Sequence, residues 1–187
     1  MLRRINIKRV TMHGSSGDTK SDESLFHDFN LLLSHIFSGG TMAEWEGRSP
    51  EAIKIIHYNA IKLYNSGNYD DAHILFHELV RLNHSNYEFM FSLAACLQKK
   101  KRYANAANVY LSSIMLNEGD TNLEPSFRIA ECLIASNSHL DEAERYLEHV
   151  IKHCPDEGEL SEFGPIAKAK LKLLKKKGAQ KEKNKQN

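Results

Sequence analysis

The chain has 187 residues, 41% of them hydrophobic and 26% charged, with ten Gly, four Pro and an aromatic share of 9%; this suits a folded, mostly helical protein and is too sparsely punctuated for a many-stranded β fold. Its longest uninterrupted aliphatic run is Leu31 to Leu33, far short of the roughly 20 apolar residues of a membrane span. The formal charge of +1 hides an asymmetry: residues 1–21 carry five basic and one acidic side chain, residues 175–187 carry six Lys and one Glu, and the body between them is net acidic.

In chain order, the opening MLRRINIKRV is basic, but the polar MHGSSGDTKSDES stands where a signal peptide would have its apolar segment. No export signal is expected, and residues 1–21 read as a disordered basic extension. Residues 22–38 then place Leu25, Phe29, Leu32, Leu33 and Ile36 at helical spacing, with Phe26 and Phe37 widening the face, ahead of Gly39-Gly40. Such a face is too apolar to stay in water alone and is expected to pack on the first repeat, on a second subunit or on both; residues 22–48 are read as an N-terminal helical and dimerisation region, and a homodimer is expected without cargo.

Residues 49–174 carry an internal repeat. Ala60, Leu63, Gly67, Tyr69, Ala72 and Phe76 recur 34 residues later as Ala94, Leu97, Lys101, Tyr103, Ala106 and Tyr110. A third copy holds Ala130, Leu133, Leu140, Ala143 and Leu147, with one extra residue in its SNSH turn. This period and the Y-x-x-A-x-x-x-F pattern are those of the tetratricopeptide repeat. The expected fold is all-α: three helix-turn-helix units over 51–65, 69–82, 86–99, 103–116, 123–136 and 140–153. Ser49-Pro50 supplies the first cap, and small alanines let paired helices approach. Gly67 serves a turn that needs positive φ; Lys101 fills the same slot less favourably. After Pro155, a capping helix from about Pro165 is expected to cover the last repeat with Ile166, Ala169, Leu173 and Leu174. The Lys-rich residues 175–187 read as a disordered, solvated tail, and as the one segment able to meet phosphate.

Catalytic signals are lacking. The sequence has no Gly-rich phosphate loop, no GxSxG and no paired carboxylates on a recognisable motif; no enzyme and no cofactor are expected. His73 with His77, and His149 with His153, stand four residues apart, but neither pair has an evident third ligand, so no metal is expected. Cys96 and Cys132 share one repeat position, in AACL and AECL, and read as packing residues; with Cys154 they form an odd set without CxxC spacing, as in a reducing, cytosolic compartment. Function is therefore expected in the concave face formed by the first helices, where repeat positions 5, 9 and 12 hold His57, Ile61 and Tyr64, then Phe91, Ala95 and Gln98, then Phe127, Glu131 and Ile134.

The strings FSGGTMAEWEG, AIKLYNSGNYDDAHILFHEL, NYEFMFSLAACLQ and EPSFRIAECL resemble the class II chaperones of bacterial type III secretion, which handle the hydrophobic pore-forming translocators. The resemblance covers about residues 30–153 and includes the Gly-Gly-Thr segment outside the repeats. It implies a cytosolic, non-enzymatic chaperone, often dimeric through its N-terminal helical region, that holds an extended N-terminal segment of a translocator in its groove. It also implies that the pocket of the first repeat falls on His57, Ile61 and Tyr64, and leaves room for a transcriptional activator among the partners. Direct nucleic-acid binding and membrane insertion are not expected. The alternatives are a generic tetratricopeptide adaptor or co-chaperone and a transcriptional co-regulator. A clamp for a C-terminal carboxylate would need cations and Asn at positions that read His57, Ile61, Ser92, Glu124 and Arg128, of which Arg128 alone matches.

Overall fold

A computed structural model describes residues 19–116 and 122–185 of the chain. Every regular element in these residues is helical: α1 (Thr19–Phe37), α2 (Met42–Trp45), α3 (Pro50–Asn65), α4 (Tyr69–Leu82), α5 (Tyr87–Lys99), α6 (Tyr103–Leu116), α7 (Glu124–Ala135), α8 (Leu140–His153), and, after a 3-10 turn at Glu159–Glu162, α9 (Phe163–Lys185). The chain divides into two compact units after Gly40.

The first unit holds α1. Leu25, Phe26, Phe29 and Phe37 are more than half exposed, while Leu32, Leu33 and Ile36 are half-buried. Its double glycine has two separate reasons. Gly39 ends the helix at φ +91, a conformation that costs L side chains dearly, and a Cβ on Gly40 would collide with the ring of His35. The expected disordered extension lies mostly outside the described residues, and the helix begins at Thr19 rather than 22.

The second unit starts at Thr41, whose hydroxyl accepts from the Glu44 amide while the Glu44 carboxylate accepts from the Thr41 amide. This reciprocal cap allows a helix as short as α2 to form. Glu46 then accepts from Arg81 at 2.6 Å and ties α2 to α4. The expected dimerisation region of residues 22–48 is thus divided: α2 belongs with the repeats.

The three predicted repeats appear as α3 with α4, α5 with α6, and α7 with α8, and every helix end falls within one residue of its expected place. Ser49 caps α3 by accepting from the Ala52 amide, with Pro50 in the first turn. The six repeat alanines, Ala60, Ala72, Ala94, Ala106, Ala130 and Ala143, are all 0% exposed. At these points any larger side chain would push two helix backbones apart. Phe76, Tyr110 and Leu147, on the second helices, are buried in the layer between neighbouring helix pairs.

The turns inside the repeats share one hydrogen-bond pattern. In each, the second amide past the helix reaches back three residues and the next reaches back five: Gly67 to Tyr64 and Asn68 to Leu63, Lys101 to Gln98 and Arg102 to Leu97, Asn137 to Ile134 and Ser138 to Leu133. This closure requires a left-handed residue. Gly67 has φ +81, Lys101 +59 and Asn137 +51, and the extra residue of the third turn is His139, itself left-handed at +47. Lys101 therefore holds a conformation that a glycine would adopt at little cost. Lys101→Gly is expected to stabilise the chain by about 1 kcal/mol, and Gly67→Lys to destabilise it by a similar amount. Urea unfolding followed by circular dichroism reads both, and a lower midpoint for Lys101→Gly would show that the lysine side chain more than offsets its backbone.

The last helix departs from expectation in two ways. Phe163, Ala167 and Leu174 are buried against the third repeat, whereas Ile166 and Leu173 are 44% and 61% exposed and Ala169 is exposed too. The 3-10 turn brings Phe163 onto Phe127, with ring centroids 5.1 Å apart, and this contact sets the rotation of the helix. The tail expected to be disordered from Lys175 is helical as far as Lys185. Lys, Ala, Gln and Glu are good helix formers, and extending an existing helix carries no nucleation cost.

Candidate functional site

Helices α3, α5 and α7 present one side to a cavity of about 720 Å³. Of the nine expected groove residues, Ile61, Tyr64, Phe91, Ala95, Gln98, Glu131 and Ile134 line it. The other two lie elsewhere. Phe127 is 3% exposed and belongs to the core shared with Phe163, because the third repeat is covered by α9 where the second is followed by another repeat. His57 packs edge-on against Phe89 and Phe76, with ring centroids 5.1 and 6.4 Å away. Its Nε2 is buried without a hydrogen bond and lies 3.9 Å from a Glu88 carboxylate oxygen.

The cavity has two chemically distinct parts. The first is aromatic. Tyr64 sets its ring edge-on against Tyr69 and Phe76, and Phe91 does the same against Tyr110 while stacking on Tyr87. Burial pushes the phenols of Tyr64 and Tyr110 above the ordinary tyrosine range, so both stay neutral donors. The second part is a polar chain across three helices. The Tyr110 hydroxyl donates to Gln98 Oε1 at 2.9 Å, and Gln98 Nε2 approaches Glu131 at 3.4 Å. Arg128 then pairs with Glu131 at 3.1 Å and with Glu124 at 2.8 Å. Burial works against the Arg128 charge, but the two carboxylates outweigh it and hold its pKa above the usual arginine value. From α9, Lys170 reaches Glu131 at 3.1 Å and lines this end of the cavity.

Reading first helices alone could not find Phe76, Tyr103, Tyr110 or Lys170, all of which line the cavity. Phe76, Tyr103 and Tyr110 are legible as repeat residues; the repeat pattern does not tell that large side chains from the second helices reach the concave side. The carboxylate-clamp reading also weakens in the structure, since Arg128 is already occupied by two acidic groups.

Of the remaining candidate residues, Cys96 and Cys132 pack in the core, while His77, His149 and His153 lie on the surface. Cys96 and Cys132 are 0% exposed; burial raises both thiols, that of Cys132 to about 12, away from nucleophilic thiolate chemistry. The rings of His73 and His77 are 6.2 Å apart and those of His149 and His153 4.4 Å; among the described residues no group of three His, Cys, Asp or Glu could hold a metal ion. No described helix is long and apolar enough to cross a membrane.

Comparison with known proteins agrees with this geometry. A tetratricopeptide repeat family model matches residues 87–118, a span that includes α5, α6 and the turn between them. The low calcium response locus protein H of Yersinia pestis is 29% identical over 149 residues, covering 79% of this chain and 87% of that protein. A type III secretion complex of Aeromonas hydrophila contains a chain that is 25% identical with a TM-score of 0.72, covering 80% of this chain and 98% of its own. The translocator chaperone SycD of Yersinia enterocolitica, solved with a peptide of the translocator YopD, is 28% identical with a TM-score of 0.63 over 70% of this chain and 97% of its own; SycD has also been solved as an alternative dimer. The chain has a tetratricopeptide-repeat fold and is similar, over most of its sequence, to the translocator chaperones of type III secretion.

Proposed function

We propose that this protein is a non-enzymatic cytoplasmic chaperone that holds an extended apolar segment of a type III secretion translocator in the cavity between α3, α5 and α7, keeping the translocator soluble before secretion. The observation that carries this reading is the aromatic part of the cavity: Tyr64 and Phe91 are each packed on one side by other rings and open to the cavity on the other. Desolvated aromatic pockets of this kind anchor peptide side chains, and an open groove suits a chain that must be released unfolded. The YopD peptide bound by SycD is an occupant of the class proposed. The test is to express the tagged chain in its native host and identify by mass spectrometry what co-purifies; membrane-destined translocators are expected, and their absence from a host that makes them would refute the reading.

The exposed face of α1 is assigned to self-association. Leu25 and Phe29 are 64% and 54% exposed on a helix whose neighbouring positions Leu32, Leu33 and Ile36 are half-buried. Burial of such a face against a second copy is the simplest way to remove it from water. Sedimentation of the cargo-free full chain at micromolar concentration is expected to give a dimer, and Leu25→Asp with Phe29→Asp a monomer. A full-length monomer would exclude this role for α1.

A further inference from the structure

Helix α9 extends beyond the repeat that it packs against. Among the residues whose burial is described its last buried one is Leu174, and the helix continues for eleven residues to Lys185, about 16 Å at 1.5 Å per residue. Over its full length it carries nine Lys and one Glu. Lys170 and Lys175 are paired with Glu131 and Glu148, but Lys168, Lys172, Lys176 and Lys177 meet no carboxylate among the described residues, and all four are exposed. Lys168, Lys172 and Lys176 follow each other at i, i+4, where like charges destabilise a helix in water. Beside this row runs the outward stripe of Ile166, Ala169 and Leu173, at i, i+3 and i+7, whose two large members are 44% and 61% exposed.

We propose that α9 is a docking element for an anionic bilayer surface. A row of lysines bordering a narrow apolar stripe is the pattern of a helix lying in the membrane interface: the stripe enters the acyl boundary, the lysine stems follow it, and the ammonium groups stay with the headgroups. An anionic surface would also relieve the repulsion along the lysine row. A phosphate backbone would use the lysines equally well, but it offers nothing for Ile166 and Leu173 to bury against, and the acidic body of the chain opposes a long polyanion. The apolar stripe therefore favours lipid over nucleic acid. The groove plays no part in this proposal.

The test is flotation of the full chain with vesicles of phosphatidylcholine alone and of phosphatidylcholine with phosphatidylglycerol, at low and high salt, beside a titration with duplex DNA. Binding is expected only to the vesicles containing phosphatidylglycerol, falling about tenfold or more at high salt as the surface charge is screened. Lys172→Gln, Lys176→Gln and Lys177→Gln together should lose it while keeping wild-type melting and translocator binding. Ile166→Gln with Leu173→Gln should weaken vesicle binding about tenfold and leave any DNA binding unchanged. Equal binding to both vesicle types, no vesicle binding, indifference to Ile166→Gln with Leu173→Gln, or tighter binding to duplex DNA than to anionic vesicles would each overturn the proposal.

Discussion

Truncating Tyr64 or Phe91 to alanine is expected to weaken binding of a translocator segment by about 1 to 3 kcal/mol, roughly 5- to 150-fold, because aromatic anchors in desolvated pockets carry a disproportionate share of binding energy. Tyr64 meets Tyr69 and Phe76 at ring-centroid distances of 5.4 and 6.4 Å, and Phe91 meets Tyr110 at 5.2 Å, so both rings are already held in place and lose little freedom when cargo arrives. Charged replacements should act more strongly, since they place an ion in the same desolvated site. Lys152→Ala, an exposed position on α8 away from the cavity, serves as the control and should change nothing. Isothermal titration with a synthetic translocator segment measures the effect, and circular dichroism must show that the variants keep their helix content and melting. Folded variants with unchanged affinity would move the partner to another surface, most simply α1 or the convex face.

How far the fold and the groove could be read in advance depended on whether the deciding contact lies inside the repeat. The alanines at 60, 72, 94, 106, 130 and 143 repeat because every unit needs the same close approach of two helices, and all six are fully buried. The left-handed slot recurs for the same reason, so the lysine at 101 already signalled backbone strain. Phe127 failed because its environment is not that of its equivalent: Phe91 has another repeat beside it, while Phe127 has α9 and Phe163. The buried face of α9 failed for a related cause. That helix carries two apolar stripes, one through Phe163, Ala167 and Leu174 and one through Ile166, Ala169 and Leu173. Periodicity alone cannot choose between them; the irregular Glu159–Glu162 turn that delivers Phe163 does. The polar chain from Tyr110 through Gln98 to Glu131 joins residues of three helices, and no spacing within one repeat encodes it.

The largest stability change is expected from Phe76→Ala. Phe76 is 2% exposed and sits where the first repeat meets the second, beside Tyr64 and His57 of α3 and within the same core as Leu93 and Leu97 of α5. Removing a buried phenylalanine ring forfeits its transfer energy and leaves a cavity that flanking helices fill only in part, a cost of about 3 to 5 kcal/mol. In a repeat stack each unit is held mainly by its neighbour, so the loss falls on the coupling of α3 and α4 to the rest. Urea unfolding should therefore show a lower midpoint and a broadened or two-step transition in which the first repeat opens before the second and third. Phe76→Leu, which keeps most of the volume, should recover much of the stability. Because Phe76 also lines the cavity, Phe76→Ala should lose translocator binding, and it should do so together with stability, whereas Tyr64→Ala and Phe91→Ala lose binding in a chain that still melts cooperatively. A cost below about 1 kcal/mol with a single sharp transition would show that the contact between the first and second repeats is carried by residues other than Phe76.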